Sequence, residues 1–225
     1  VCFHVINRGN ARAKVFHDQG DYLAFARILS LACERHDMRL LAFCLMPNHF
    51  HLLVRQETDD KSSLAVQYTC NGYAQFFNRR HQHSGTLFQG RFRRILVGDD
   101  TYLRHLCRYI HINPVKDGFA MQPGLWPYSN YQECVGLRHG TMVDREFITS
   151  LFGSPTAYCD FVAAWPQRTQ LPDATATRSR TLSTRCVPRS RPAVQAGSHS
   201  ALVFRCSPRP ATFPLCIMSG EGARS

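Results

Sequence analysis

The chain has 225 residues, of which 44% are hydrophobic and 19% charged, so it can bury a core without disulfides or a structural metal. No apolar run approaches the roughly 18 residues of a membrane span, and the opening VCFHVINRGN lacks the basic and apolar regions of a signal peptide. We therefore expect a cytoplasmic protein that does not span a membrane, whose ten scattered cysteines, none in a CxxC pair, are reduced thiols.

The net charge of +11 points to a polyanionic partner, but most of it lies near the carboxyl end. Residues 167–225 hold nine arginines and two acidic residues, and their Ser, Thr, Arg and Pro content without hydrophobic periodicity predicts a disordered basic tail. Such a tail adds nonspecific affinity for nucleic acid, or it is unselected sequence read past an older end of the gene. We favour the second, because the apolar stretch ALVFRCSPRPATFPLCIM is unlike a nucleic-acid-binding arm. Ahead of the tail we expect a main domain over 1–140 and a helical extension over 141–166.

The main domain reads as short elements of alternating type. Alternating or continuous apolar runs predict strands over residues 3–8, 38–46, 49–55 and 88–97. Helical periodicity predicts one helix opened by Asp21 as its N-cap, a second that starts at Ser62, and a third over residues 102–112 that Pro114 ends. The break at Pro47-Asn48 predicts an antiparallel hairpin between the second and third strands.

The resulting order is β, α, β, β, α, β, α, which predicts an α+β fold. A βαββαβ unit is the split-βαβ or ferredoxin-like plan, an antiparallel sheet with helices packed on one face. We expect the other face of this sheet to be available for a ligand.

Two histidines stand in the motif MPNHFHLLV within the third strand. Because alternate strand residues point to the same side, His49 and His51 project together while Phe50 faces the opposite way. Two neutral imidazoles on one face can bind a divalent metal ion. In isolation, the plainer interpretation is a pair of edge histidines bonded to water or to the backbone.

The last predicted helix contains a tyrosine and an asparagine four residues apart. Tyr109 and Asn113 share a helix face, which places a hydroxyl beside an amide oxygen. Tyrosine is a usable nucleophile only when a nearby metal ion or base favours loss of its proton. The alternative is that Tyr109 is a core residue and that Asn113-Pro114 merely stops the helix.

Arginines are frequent in the fourth strand, FQGRFRRILV. Arg91 and Arg93 alternate onto one face, whereas Arg94 falls on the other, and the segment NRRH adds Arg79 and Arg80. These side chains could hold phosphates. A solvated strand end explains the same pattern equally well.

Five segments in order carry a resemblance to a known family: HVINRGNARAKVF, AFCLMPNHFHLLV, YAQFFNRRHQHSGTLFQGRFRRILV, YLRHLCRYIHINPVKDG and WPYSNYQECVG. Together they resemble the single-tyrosine HUH transposases of the insertion-sequence type, in particular the REP-associated tyrosine transposases. The resemblance covers roughly residues 3–136 and leaves the tail outside.

The resemblance implies a chemistry for each motif. His49 and His51 would bind Mg²⁺ or Mn²⁺, and Asn113 would help to complete the metal shell. Tyr109, on a C-terminal catalytic helix, would attack single-stranded DNA, form a 5′-phosphotyrosine link and release a 3′-hydroxyl. Arg79, Arg80, Arg91, Arg93 and Arg94 are the DNA-binding candidates that the strand and helix patterns add.

The resemblance also implies a substrate and a setting. Relatives act on single-stranded DNA folded into imperfect palindromic hairpins, in the bacterial cytoplasm and associated with the nucleoid, and some are homodimers. Two alternatives stay open, a noncatalytic DNA-binding remnant of such a transposase and DNA cleavage by metal-bound water.

Overall fold

A four-stranded antiparallel sheet lies at the centre of the computed structural model, which describes residues 1–56, 61–140 and 142–165. The predicted tail over 167–225 lies outside the described residues. The spatial order of the strands is β2-β3-β1-β4. Their bounds are Cys2–Arg8 for β1, Met38–Met46 for β2, His49–Gln56 for β3 and Arg93–Val97 for β4.

Six α-helices accompany the sheet in the described part of the chain: α1 (Gln19–His36), α2 (Lys61–His81), α3 (Asp100–Lys116), α4 (Tyr131–Cys134), α5 (Arg145–Phe152) and α6 (Pro155–Ala163). The order of the first six elements is βαββαβ, and β3 lies between the parallel strands β1 and β2. This arrangement confirms the predicted ferredoxin-like fold. None of the described helices is long and apolar enough to cross a membrane.

The pleat of the sheet divides the interior into two cores. Phe50, Leu52 and Val54 of β3 point into a core shared with α1 and α2. Leu53, between them, points into a second core that α3, α5 and α6 complete on the opposite face. The two histidines of β3 lie on the Leu53 side, so the sheet directs them toward α3.

The sheet face that we expected to be available for a ligand is covered in part by α3. Leu106 and Ile110 of this helix are buried against β2 and β3. The hydrophobic pattern of α3 alone could not show which face of the sheet it would cover.

Two predicted helix boundaries are wrong. Asp18, and not Asp21, is the N-cap of α1, since its carboxylate accepts hydrogen bonds from the Gly20 and Asp21 amides. Pro114 lies inside α3, which continues to Lys116. A proline in the last turn removes one helical hydrogen bond, and the Asp117 amide still donates to the Asn113 carbonyl at 3.0 Å.

The fourth strand is shorter than predicted. It begins at Arg93, whereas Phe88 makes only an isolated bridge with Gly9. Arg91 therefore lies in the segment ahead of the strand, and the alternation of faces applies only to Arg93 and Arg94.

A buried histidine joins α3 to the surrounding elements. The Nε2 atom of His111 lies 2.8 Å from the Asn130 Oδ1 atom, which also accepts a hydrogen bond from the Phe43 amide. The other ring nitrogen, Nδ1, accepts from the Tyr158 hydroxyl. Burial lowers the pKa of His111 from 6.5 to about 4, so the ring is neutral when the protein is folded.

Because His111 is neutral in the folded protein, we expect the free energy of unfolding to fall in acid. Because the folded state binds the His111 proton more weakly than the unfolded state, its contribution is complete above pH 6.5 and is lost as the pH falls toward about 4. We expect His111 to account for about 3 kcal/mol of the fall in unfolding free energy over that interval. Denaturant unfolding of the wild type and of His111→Phe at several pH values measures it. An unchanged pH slope in His111→Phe would contradict the assignment.

Candidate active site

The two histidines of the H-x-H motif lie together on the face of β3 that α3 covers. Their ring centroids are 5.0 Å apart. His51 pairs with Ile6 of β1 on one side and with Cys44 of β2 on the other, so it occupies the middle of the sheet. His49 is at the end of the strand, beside the Pro47-Asn48 turn, where it is half-buried.

Helix α3 brings Tyr109 to these histidines. The Tyr109 ring lies edge-on to the His51 ring, with centroids 5.5 Å apart. The ammonium group of Lys116, two turns later, lies 5.4 Å from the centre of the Tyr109 ring. A tyrosine, two imidazoles and an ammonium group thus meet at one position on the sheet.

Asn113 follows Tyr109 by one helical turn, and its side chain is anchored to the helix. Its Nδ2 atom donates to the Tyr109 carbonyl at 3.0 Å. This bond uses the amino half of the amide, so the oxygen Oδ1 is the half that can ligate a cation.

Both histidines of the motif use Nδ1 for a hydrogen bond. The Nδ1 atom of His49 lies 2.7 Å from the Asn48 Oδ1 atom. The Nδ1 atom of His51 lies 3.0 Å from the Nε2 atom of His4, a buried residue of β1. Each ring therefore keeps its Nε2 atom for a further ligand.

The electrostatic surroundings keep these imidazoles neutral. Burial is the main cause that lowers the pKa of both His49 and His51. For His49 the negative charge of Asp117 opposes this shift and Arg8 adds to it, whereas for His51 the neighbouring histidines and Lys116 all lower the pKa further. The pKa of His4 is lowered to about 4 by the same desolvation. Neutral imidazole is the form that binds metal ions.

Three residues of this site did not emerge from the sequence as candidates: His4, Asn48 and Lys116. His4 stands in FHVINR, where alternation gives its face but not its partner. His4 and Ile6 are two residues apart, so they lie on the same face of β1. This fact places His4 beside His51 only when the register of β1 on β3 is known.

The model of the family described as "Transposase IS200 like" matches residues 1–113, half of the chain, and the match includes both histidines and the tyrosine. The chain belongs to the IS200-like transposases. It is thus a member of a family of DNA-processing enzymes.

Two curated relatives of this transposase are named as REP-associated tyrosine transposases, and one solved structure shares its fold. It is 29% identical over 126 residues to a Haemophilus influenzae protein named as a REP-associated tyrosine transposase, with 51% of this chain and 72% of that protein covered. It is 26% identical over 134 residues to the REP-associated tyrosine transposase of Escherichia coli K12, with 59% and 77% covered. A solved REP-associated tyrosine transposase bound to a REP hairpin shares the fold, with a TM-score of 0.50, 24% identity, and 64% of this chain and 87% of that one covered. The predicted resemblance is confirmed.

The five candidate arginines of the transposase are in different surroundings. Arg93 is exposed and pairs with Ile6, in the same cross-strand row as His51, so it is on the histidine face. Arg94 is on the opposite face, where its guanidinium lies 4.2 Å from the centre of the Phe3 ring and donates to the Ser63 hydroxyl. Arg79 and Arg91 are exposed outside the row.

The fifth arginine, Arg80, belongs to an ion cluster between α1 and α2. Its guanidinium lies 2.6 Å from the buried Asp21 carboxylate and 2.8 Å from that of Asp18. Asp21 also accepts from the His17 amide at 2.8 Å and from His81 Nε2 at 2.9 Å. One ligand atom each from His17, Asp21 and His81 lies within 4.8 Å of the others, a spacing that could hold a metal ion. Because Arg80 already balances the Asp21 charge, we interpret the cluster as a structural link between the helices.

Proposed function

We propose that this transposase cleaves and rejoins single-stranded DNA through a 5′-phosphotyrosine intermediate on Tyr109. The observation that carries the proposal is the edge-on approach of Tyr109 to His51, beside His49, in a protein of the IS200-like family. The tyrosine and both histidines come from one chain, which supports a site complete in a single subunit even if the protein forms a homodimer.

A divalent cation, Mg²⁺ or Mn²⁺, fits the donors at this position. Two neutral imidazoles with unused Nε2 atoms and the Asn113 amide oxygen supply up to three protein ligands, so phosphate and water oxygens would complete the shell. When bound, such a cation neutralises charge on the scissile phosphate. We propose His49, His51 and Asn113 as its ligands.

In the proposed reaction one bond to phosphorus forms and one breaks, and both involve only the DNA and Tyr109. The Tyr109 oxygen forms a bond to phosphorus as the bond from phosphorus to the 3′-oxygen breaks. The phenol loses its proton to solvent, and the departing 3′-oxygen gains one. Lys116, beside the Tyr109 ring, is placed to pair with a phosphate oxygen of the bound strand. Reversal by attack of a 3′-hydroxyl on the phosphotyrosine restores a phosphodiester, so rejoining requires no ATP.

The substrate that we propose is single-stranded DNA that contains a hairpin. Support comes from the solved neighbour, which is bound to a REP hairpin. The exposed Arg93 adds a positive charge on the histidine face, and its backbone position is two strand spacings, about 10 Å, from that of His51. We propose Arg79, Arg91 and Arg93 as contacts to the DNA backbone.

A matched pair of adjacent arginines tests the binding face. We expect Arg93→Gln to weaken binding of hairpin oligonucleotides and to reduce the slope of log affinity against log salt by about one. Arg94→Gln, the same change on the opposite face, should leave that slope unaltered, because its guanidinium is held by Phe3 and Ser63. Fluorescence anisotropy at several salt concentrations measures both. Equal slopes in the two variants would contradict the assignment of the face.

The experiment that tests the proposed function is detection of a covalent adduct on a denaturing gel. The full chain is incubated with a pool of single-stranded oligonucleotides that carry a hairpin and randomised flanks, labelled at the 5′ or the 3′ end. With Mg²⁺ or Mn²⁺ we expect the 3′-labelled fragment to shift with the protein and the 5′-labelled fragment to be released. Chelation by EDTA should abolish both. Binding without any adduct would instead support the noncatalytic remnant.

A further inference from the structure

We propose that His4 is a positioning residue for His51: its Nε2 atom accepts a hydrogen bond from the Nδ1–H group of His51, which leaves the Nε2 lone pair of His51 for the cation. This inference rests on the proposed function, because it assigns a role in assembling the same metal site. Neither the H-x-H motif nor the tyrosine helix contains His4.

The sheet holds His4 beside His51. In the antiparallel pairing of β1 with β3, Ile6 is opposite His51 and His4 is opposite Leu53, so His4 and His51 are diagonal neighbours on one face. The His4 Nε2 and His51 Nδ1 atoms are 3.0 Å apart across 47 residues of sequence. His4 is 2% exposed and His51 4% exposed, so water has little access to this contact.

One proton must lie between the two nitrogens, and its position decides whether His51 can bind a metal. If His4 Nε2 carried the proton, His51 Nδ1 would be the hydrogen-bond acceptor, and the neutral His51 ring would carry its own proton on Nε2. If His51 Nδ1 carries the proton, its Nε2 has a lone pair for a cation. Metal ligation therefore requires His4 to act as the acceptor.

His49 makes the same kind of hydrogen bond through Nδ1, but its partner can act only as an acceptor. An amide oxygen only accepts hydrogen bonds, so Asn48 Oδ1 selects the His49 ring with a proton on Nδ1. The two histidines of the motif thus both turn Nδ1 into the protein. Hydrogen-bond partners of this kind orient metal-binding histidines and tune their basicity.

The spacing argues against His4 as a third metal ligand. Three imidazoles bound to one ion would each place a nitrogen within a few ångströms of the other two. Among the residues that the structure describes, His4, His49 and His51 do not form such a group, whereas His17, Asp21 and His81 do. His4 therefore acts on the metal site through His51, and its ring also lies edge-on to the Tyr109 ring, with centroids 6.5 Å apart.

Three substitutions of His4 distinguish a role as a hydrogen-bond acceptor from a role in filling space. Gln places an amide oxygen near the position of the His4 Nε2 atom, Asn ends one bond short of it, and Phe keeps the ring without an acceptor. We expect His4→Gln to bind Mn²⁺ nearly as tightly as the wild type. His4→Asn and His4→Phe should lose on the order of 10-fold to 100-fold in affinity. Titration calorimetry of the full chain with Mn²⁺ measures these constants, and His111→Phe controls for removal of a buried imidazole elsewhere.

Nitrogen NMR of the imidazole rings gives a readout that does not depend on activity. In the metal-free wild type we expect His51 to show a protonated Nδ1 and an unprotonated Nε2. In His4→Phe the two tautomers of His51 should both be populated. Wild-type Mn²⁺ affinity in His4→Phe, a loss in His4→Gln as large as in His4→Phe, or a His51 ring protonated on Nε2 would each overturn the proposal.

The outcome for His4 can be distinguished from that for the proposed function. A wild-type protein that forms the tyrosine adduct while His4→Phe keeps its Mn²⁺ affinity would overturn the role of His4 alone. A wild-type protein that forms no adduct but shows the expected affinities and tautomers would overturn the DNA chemistry and leave the role of His4 intact.

Discussion

Replacing Tyr109 by Phe is expected to abolish the covalent protein–DNA adduct and to reduce strand cleavage by a factor on the order of 10³ or more. The substitution removes only the oxygen that would attack phosphorus. The remaining ring can keep its edge-on contact with His51, so the fold and DNA binding should be retained. Denaturing gels with 3′-labelled hairpin oligonucleotides measure the adduct, and anisotropy measures the binding.

A second tyrosine on the same helix is a matched control for this variant. Tyr102 lies two turns before Tyr109, and Tyr102→Phe should form the adduct at the wild-type rate. The His51→Ala variant separates two mechanisms. Loss of cleavage in both His51→Ala and Tyr109→Phe supports attack by tyrosine. Cleavage that survives in Tyr109→Phe but not in His51→Ala would instead support attack by metal-bound water.

The order of elements was predictable from the sequence because each signal for it is local. The apolar run of β2 ends at Pro47-Asn48, and β3 restarts directly after it, which requires a hairpin. Strand alternation likewise predicted that His49 and His51 would share a face, and helical spacing predicted that Asn113 would follow Tyr109 by one turn.

Contacts between distant segments were not predictable in this way. His4 meets His51 only because β1 pairs with β3 in one register, and a slip by one residue would turn His4 to the opposite face. The misplaced N-cap of α1 has a similar cause. Asp21 has the residue type and position of a cap, but its carboxylate is used by Arg80 and His81 of α2, about 60 residues away.

The surroundings of Asp21 explain why a carboxylate is needed there. Its side chain is 0% exposed, and its oxygens accept hydrogen bonds from Arg80, from the His17 amide and from His81. All of these partners are donors, so an acceptor-only group satisfies them without competition. The cluster joins the start of α1 to the end of α2 on the sheet face opposite the proposed active site.

We therefore expect Asp21→Asn to lower the free energy of unfolding by about 3 kcal/mol. The amide keeps one acceptor but turns its NH₂ group toward donors, and it removes the buried charge that Arg80 pairs with.

Asp18→Asn is the matched control, because Asp18 contacts the same Arg80 but its side chain is 51% exposed. Asparagine also caps helices, so this variant should unfold close to the wild type. Urea denaturation measures both. Equal losses in the two variants would mean that burial is not what makes Asp21 important.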